Sequence, residues 1–429
     1  MVRVSYVAVR GANGVPLIAL AALEQHPIVK SRRVVHDGIM GCRMDSPGQS
    51  NPHSRVVYAG ASMRRDTQIL EAGYPKASTP GAFVPPVQFS STFTTPGDPA
   101  QHAHTYGRFH NPTWAAWEEA LSVIDGGIAV SFASGMAATA ALFGVVLQPG
   151  DTVVLPSDAY YTTRIVAANW LAKIGVQSRL APTRNDGQLD ALENAKLLVI
   201  ETPSNPQLDV CDIVRLVDAA HRQDTLVAVD NTTATGYLQQ PLALGADFVI
   251  ASDTKALTGH SDVVLGHVTA AREEGATALR TWRTQHGAIP GPMETWLAHR
   301  SIATLPLRIT RQCDSALQLA NALSASQNVE AVFYPGLVSH PAHAVAARQM
   351  RAFGPVVSFD LGTRPRAESF LGALTVVREA TSFGGVHSTA ERRARWGGDA
   401  ISEGFIRFSV GCEAAEDLLE DVQRGLAAL

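Results

Sequence analysis

Three apolar segments of this 429-residue chain run into polar residues suited to one kind of chemistry. Leu198-Val199-Ile200 leads to Glu201-Thr202-Pro203-Ser204-Asn205-Pro206, Val227-Ala228-Val229 to Asp230-Asn231-Thr232, and Val249-Ile250-Ala251 to Ser252-Asp253-Thr254-Lys255. A fourth segment, Ala133-Ser134-Gly135-Met136, opens a helical pattern. Backbone N–H groups of Ser134, Gly135 and Met136 at a helix start suit a phosphate, and the hydroxyls of Ser252 and Thr254 add donors for the same anion. Asp230, buried at a strand end, can pair with a protonated ring nitrogen. Lys255 can form a Schiff base once desolvation and nearby cations lower its pKa from about 10.4. Taken singly, an Asp at a strand end is most often a cap and a Lys a solvated charge. Together, at successive strand ends, they describe a site for pyridoxal 5'-phosphate.

The elements that must position these groups are legible in outline. Strands are predicted at 152–155, 197–201, 226–230 and 248–252, with helical periodicity between them; Ile213, Val214, Val217 and Ala220 line one face of a helix. Such alternation predicts a parallel sheet covered on both faces, with ligands beyond the carboxyl ends of its strands. Amphipathic helices are expected over 114–124 and from Gly135 to the turn at 148–151. Beyond about Thr304 a long helix (307–325), strands at 329–334, 356–361 and 405–410 and a last helix (414–428) predict a smaller α+β domain.

The expected organisation is therefore an extension over 1–63, an extended Pro- and Ser-rich arm over 64–113, a cofactor-binding α/β domain over 114–303 and an α+β domain over 304–429. In the extension, Arg3 and Arg10 precede an apolar run (15–23), and Ala19-Leu20-Ala21 offers a cleavage site of the kind used for export. Pro16 interrupts that run, which favours a poorly ordered extension ahead of Met63.

Composition excludes several function classes. With 35 basic against 39 acidic residues and a formal net charge of -4, there is no electrostatic footprint for nucleic acid or an anionic membrane. No apolar run reaches the 18 or so residues a membrane span needs. Cys42, Cys211, Cys313 and Cys412 are scattered without a CxxC pair, so neither a disulfide framework nor structural zinc is expected and the cytoplasm is the default compartment. His102, His104 and His110, or His340 and His343, lack the carboxylate or cysteine neighbours of a metal centre. Nucleotide-binding GxGxxG and GxxxxGK[ST] loops are absent.

The motifs resemble those of the Cys/Met-metabolism (transsulfuration) enzymes, which are pyridoxal-phosphate proteins of fold type I, the aspartate aminotransferase-like α/β fold. The likeness runs from about Met63 to Leu429 and rests on Tyr106-Gly107-Arg108-Phe109-His110-Asn111-Pro112-Thr113, Phe132-Ala133-Ser134-Gly135-Met136, the Glu201–Pro206 segment, Ser252-Asp253-Thr254-Lys255, Gly259-His260-Ser261-Asp262, Ser382-Phe383-Gly384-Gly385 and Arg407-Phe408-Ser409-Val410-Gly411. It implies that Lys255 carries the cofactor and shuttles protons, that Asp230 keeps the ring nitrogen protonated, and that Tyr160 stacks on the ring and serves as an acid towards the leaving group. Asn205 would contact the cofactor's phenolic oxygen, with Thr232 close to the ring. Tyr106 and Arg108 would reach the phosphate of a neighbouring subunit, in a homotetramer built from two shared-site dimers. Arg407 would clamp the α-carboxylate of an amino-acid substrate, beside Ser382 and His387.

Three departures bear on the substrate. Relatives acting on cystathionine commonly carry Glu where this chain has His387. Tyr161-Thr162 replaces Gly-Gly after the stacking tyrosine, and methionine γ-lyases typically place a cysteine at the second position. Ala256 replaces the usual tyrosine after the lysine, and Arg392-Arg393-Ala394-Arg395-Trp396-Gly397-Gly398-Asp399 replaces a longer stretch with Thr-His. This shortened segment is similar to an actinobacterial-type cystathionine γ-lyase branch. The implied activity is γ-elimination on L-cystathionine or a related sulfur amino acid, giving 2-oxobutanoate, ammonia and cysteine. The alternatives are γ-replacement by a cystathionine γ-synthase or O-acylhomoserine sulfhydrylase, then cystathionine β-lyase or methionine γ-lyase.

Overall fold

The computed structural model describes residues 63–76, 78 and 80–429, together with two short strands near the start, β1 (Ala8–Arg10) and β2 (Pro16–Ile18). These two pair antiparallel within a unit spanning Met1–Ala59. The remainder of the reading made for 1–63, including its cleavage site, lies outside the described residues. Residues Gly60–Leu429 form the second compact unit.

A seven-stranded sheet in the order β3-β9-β8-β7-β6-β4-β5 organises the first part of that unit. Its strands are β3 (Ile128–Phe132), β4 (Thr152–Pro156), β5 (Gln177–Ala181), β6 (Leu197–Glu201), β7 (Leu226–Asp230), β8 (Phe248–Ala251) and β9 (Gly266–Ala270). Neighbours from β8 to β5 pair parallel, while β9 runs antiparallel to both β3 and β8. The sheet is thus mixed rather than all parallel. β9 was not anticipated because its run, Gly-His-Val-Thr-Ala, interrupts apolar residues with a histidine and a threonine. Every residue of β4, β6, β8 and β9 is buried, as expected for strands covered on both faces.

Local chemistry sets the helix ends. Asn111 caps helix Pro112–Asp125 by accepting from the Thr113 amide at 2.8 Å, Pro112 occupies the first turn, and Gly126 closes the helix. In helix Ile213–His221 the buried face is Ile213, Leu216, Val217 and Ala220, whereas Val214 is exposed. The observed spacing of three, four and seven is that of an amphipathic helix, and it replaces Val214 by Leu216 in the predicted face.

The second sheet, β10-β11-β14-β13-β12, comprises β10 (Ala331–Phe333), β11 (Val356–Asp360), β12 (Arg378–Glu379), β13 (Thr389–Arg392) and β14 (Phe405–Ser409). Helices Leu305–Ser324, Arg364–Ala373 and Ala415–Ala427 share its apolar core, in which Phe359, Phe370 and Phe408 are fully buried. No helix among the described residues is long and apolar enough to cross a membrane.

Candidate active site

The carboxyl ends of β6, β7 and β8 and the start of helix Gly135–Val146 open on one cavity of about 400 Å³. Ser134, Gly135, Met136, Tyr160, Asn205, Asp230, Thr232, Ser252, Thr254, Lys255, Ser382 and Arg407 all line it. Three of the predicted residues do not. His387 is exposed and lies outside the cavity wall. Tyr106, 42% exposed, and Arg108 sit together on the arm, with the Arg108 guanidinium 5.5 Å from the Tyr106 ring.

The wall formed by the large sheet is packed backbone to backbone. Ser134 caps its helix, accepting from the Ala137 amide at 3.1 Å, so the first turn's remaining N–H groups face the cavity unsatisfied by helix bonds. A Cβ at Gly135 would stand 2.8 Å from Ser252 Cβ, so only glycine lets β8's continuation lie against this helix start. The Ser252 amide donates to Thr232 Oγ1 at 2.9 Å, tying the two strand ends together. The Thr254 hydroxyl is engaged with the backbone of Leu265, accepting from its amide at 3.0 Å and donating to its carbonyl at 3.2 Å.

Asp230 accepts from the Thr232 amide at 3.0 Å. Burial raises its pKa, against the opposing hydrogen bonds from Thr232. Whereas Asp230 is half-buried, Glu201, its register partner on β6, is buried and accepts from the amides of Tyr160 at 2.8 Å and Asn205 at 2.9 Å. Burial, and then the neighbouring Asp230, hold Glu201 well above the ordinary carboxyl range. Two carboxyl groups this close share their charge unequally, and a cation beside Asp230 would relieve both.

Lys255 Nζ donates to Ser382 Oγ at 2.8 Å and lies 5.4 Å from the Phe383 ring. Burial, reinforced by the nearby Arg407 and opposed by Glu391, lowers its pKa to about 8. Ser382 has a φ of 78°, a left-handed conformation unusual for a non-glycine residue, and it presents its hydroxyl to Lys255 and its carbonyl to Arg407. The loop after Lys255 is equally tight. A Cβ at Gly384, whose φ is 83°, would lie 2.5 Å from the Ala256 amide, and Ala256 is fully buried. The alanine in place of a tyrosine thus belongs to a close approach of the two sheets' loops. Arg308 braces this turn from below, donating to the carbonyls of Ala256 and Leu257 at 2.9 Å.

Arg407, on β14, is buried and donates to Asn205 Oδ1 at 2.7 Å, to the Ser382 carbonyl at 3.1 Å and to Glu391 Oε1 at 2.5 Å. Burial lowers its pKa to about 10, with Glu391 opposing that shift, so it stays a cation at neutral pH. With five N–H donors, a guanidinium making three such bonds keeps some for a ligand. Glu391, Arg393 and Trp396 were not singled out from sequence, where Arg392–Asp399 registered only as a shortened segment. No periodic signal marks a charge network in a loop. Tyr161, which also lines the cavity, had been noted only for what it replaces.

Three of the five histidines weighed as metal ligands are otherwise occupied. His102 and His343 bond the carbonyls of Pro96 and Pro335 at 2.8 Å, and His340 Nδ1 accepts from the Ala342 amide. Among the described residues, no three His, Cys, Asp or Glu side chains are placed to hold a metal.

A helix N-terminus with a glycine-tight approach, a half-buried aspartate and a desolvated lysine on one cavity fit a phosphorylated pyridine aldehyde, and this is a pyridoxal-phosphate enzyme of fold type I. Residues 66–427 match the Cys/Met metabolism PLP-dependent enzyme family, and the chain belongs to that family. A protein of Streptomyces coelicolor named "Putative cystathionine gamma-lyase" is 53% identical over 84% of this chain and 93% of its own length. The cystathionine gamma synthase of Xanthomonas oryzae pv. oryzae, solved in complex with cystathionine, superposes with a TM-score of 0.83 at 36% identity, covering 86% of this chain and 99% of that one. The apo methionine gamma lyase of Micromonospora echinospora gives a TM-score of 0.79 at 40% identity over 85% of this chain and 99% of that one.

Proposed function

We propose that this chain is a carbon–sulfur lyase that cleaves L-cystathionine, or a related sulfur amino acid, at its γ carbon. One observation carries the chemistry: the Lys255 amine stands in the same cavity as Asp230, the start of helix Gly135–Val146 and a buried Arg407. The site of cleavage is inferred from the three proteins compared above, whose names share the γ position, although other relatives, 38–39% identical, are named cystathionine beta-lyase.

Pyridoxal phosphate, when bound, supplies an electron sink for negative charge developing on substrate carbon. The backbone N–H groups at Ser134, Gly135 and Met136, with the Ser252 hydroxyl, would hold its phosphate, joined by Thr254 once its hydroxyl turns from the Leu265 carbonyl. Asp230 would keep a proton on its ring nitrogen. Asn205 and Thr232 would flank its ring, and Tyr160, 37% exposed, would cover it. Arg407 binds the substrate α-carboxylate and so fixes which proton faces Lys255. Lys255, neutral above about pH 8, removes the proton at Cα, gives that proton up and, neutral again, removes one at Cβ. The departing sulfur takes a proton from Tyr160 or Lys255. The balance is cystathionine and water to cysteine, 2-oxobutanoate and ammonia.

Tyr106 and Arg108, on the arm, are assigned to the phosphate of a neighbouring subunit, within a cytoplasmic homotetramer made of two shared-site dimers. The exposure of Phe83, Phe89 and Tyr106 supports that assignment. The 36%-identical γ-synthase supports a second reading, in which a thiol adds to the same γ carbon.

Product analysis by mass spectrometry on the cofactor-loaded protein with L-cystathionine tests the proposal. Cysteine and 2-oxobutanoate are expected. Pyruvate with homocysteine would reassign it as a β-lyase. The absence of any keto acid would shift the assignment to γ-replacement, assayed with an O-acylated homoserine and a thiol.

A further inference from the structure

Glu391 lies on β13, one strand from Arg407 and directly opposite it in register. It is 1% exposed and yet serves donors from five other side chains. Oε1 accepts from Arg407 at 2.5 Å, from Arg393 at 3.1 Å and from the Thr381 hydroxyl at 3.4 Å, and Oε2 from the Trp396 indole at 2.8 Å and from Arg395 at 3.0 Å. Four of these partners, Arg407, Arg393, Thr381 and Trp396, line the cavity. Burial disfavours the charge on Glu391, but Arg407, Trp396 and Arg393 outweigh it and keep the carboxyl below its ordinary range.

The chain of charges continues outward. Arg393 donates to Asp399 at 2.7 Å, and Arg164, in the helix that follows Tyr160, donates to Asp399 at 3.3 Å and to the Gly398 carbonyl at 2.7 Å. A Cβ at Gly398 would lie 3.1 Å from Tyr161 Cβ, so this segment rests directly on the tyrosine helix. Arg407, Glu391, Arg393, Asp399 and Arg164 therefore alternate in sign outward from the cavity wall. Such a chain satisfies each buried charge only while all its members keep their places.

We propose that Glu391 is the positioning residue of this site, a single buried carboxylate that fixes both the Arg407 clamp and the Trp396 wall facing the substrate's departing half. The inference rests on Arg407 binding the α-carboxylate. Without the Glu391 carboxylate, Arg407 keeps, among the described residues, Asn205 and the Ser382 carbonyl, and the indole loses its hydrogen-bond acceptor. The ring, 49% exposed, would then be held by the Arg395 guanidinium stacked 5.2 Å from its centre and no longer by a directional bond. The shortened 392–399 segment is thereby a specificity device as well as a connection.

The test compares binding of glycine and glycinamide, unreactive probes that differ in the carboxylate, read by the change in cofactor absorbance. In the unaltered enzyme glycine binds more tightly than glycinamide, and Arg407→Lys reduces that preference. Glu391→Gln is expected to load cofactor normally, to weaken glycine binding roughly ten- to hundredfold and to leave glycinamide binding unchanged. With a reactive substrate, KM rises more than kcat falls. Tryptophan fluorescence quenching by an added neutral quencher increases in the same variant and not in Glu391→Asp, whose KM lies between the two. An unaltered glycine preference in Glu391→Gln overturns the inference. Should that variant fail to load cofactor, an unaltered KM in Glu391→Asp overturns it instead. No preference in the unaltered enzyme, or none lost in Arg407→Lys, would remove the carboxylate clamp itself and the inference with it.

Discussion

The cavity has two walls built on different principles. On the large-sheet side, Ser134, Asp230, Ser252 and Lys255 owe their places to where strands end and a helix begins. Backbone amides donating to side-chain oxygens tie down Ser134, Asp230 and Ser252, and glycine at 135 admits a contact no side chain would allow. On the small-sheet side, Arg407, Arg393 and Trp396 are held by side chains, through one carboxylate, Glu391. The first wall suits a cofactor that stays, and the second a substrate that comes and goes. The contrast teaches that rigidity came from packing where the ligand is permanent and from charge pairing where it is exchanged.

The sharpest way to break this comparison is at Lys255, where the two walls meet. Lys255→Ala is expected to lower turnover by about 10^4-fold or more while leaving a folded chain that still takes up cofactor, as judged by circular dichroism and absorbance. Unchanged turnover would remove the assignment. Asp230→Asn takes the charge from the first wall alone. Steady-state kinetics are expected to show kcat down roughly 10^2- to 10^3-fold with KM little changed.

Gly135→Ala probes packing without touching any functional group. Its added methyl meets Ser252 at 2.8 Å, and such overpacking costs about 1–3 kcal/mol, read as weaker cofactor affinity in a titration of the cofactor-free chain. The same mutation should leave the glycine preference over glycinamide intact, because that preference belongs to the other wall.

The walls communicate through the Lys255 amine. Because its pKa is lowered to about 8, the neutral amine dominates only above that pH. The rate at which the cofactor-free chain takes up pyridoxal phosphate is therefore expected to rise with a midpoint near pH 8 and to level off about one unit above it. Arg407 repels the lysine's charge and Glu391 favours it. Arg407→Met should move the midpoint up, and Glu391→Gln should move it down. Stopped-flow uptake at a series of pH values checks both signs. The smallest effect is expected at Thr232→Val, which removes the acceptor for the Ser252 amide and costs about 1 kcal/mol of thermal stability, with a modest loss of cofactor affinity.

The first wall was readable from residues alone, because an apolar run ending in Asp230 or in Ser252–Lys255 signals a buried strand and its chemical terminus together. The two full strands β6 and β7 were read with their observed limits for the same reason. β9 was not, since His267 breaks its apolar pattern. The fold tolerates that histidine by setting it between Asp253, at 2.5 Å, and Asp125, at 2.7 Å. Burial works against its charge, but the two carboxylates outweigh it and raise its pKa to about 10. The second wall was only half visible. Arg407 and Ser382 came from a family motif, while Glu391 lies on the four-residue strand β13, between β14 and β12, and Arg393 and Trp396 on the single helical turn that follows it, elements too short for spacing to carry a period. Side-chain networks of this kind depend on contacts between residues far apart in fold, such as Arg164 with Asp399, which no local pattern encodes.

The central claim is that Lys255, at the meeting of the two walls, carries pyridoxal phosphate. Borohydride reduction of the cofactor-loaded protein, followed by proteolysis and mass spectrometry, tests it most directly. The account predicts a pyridoxyl phosphate adduct on the peptide containing Lys255 and on no other. An adduct on Lys173, Lys196 or another lysine, or none after full loading, would contradict it.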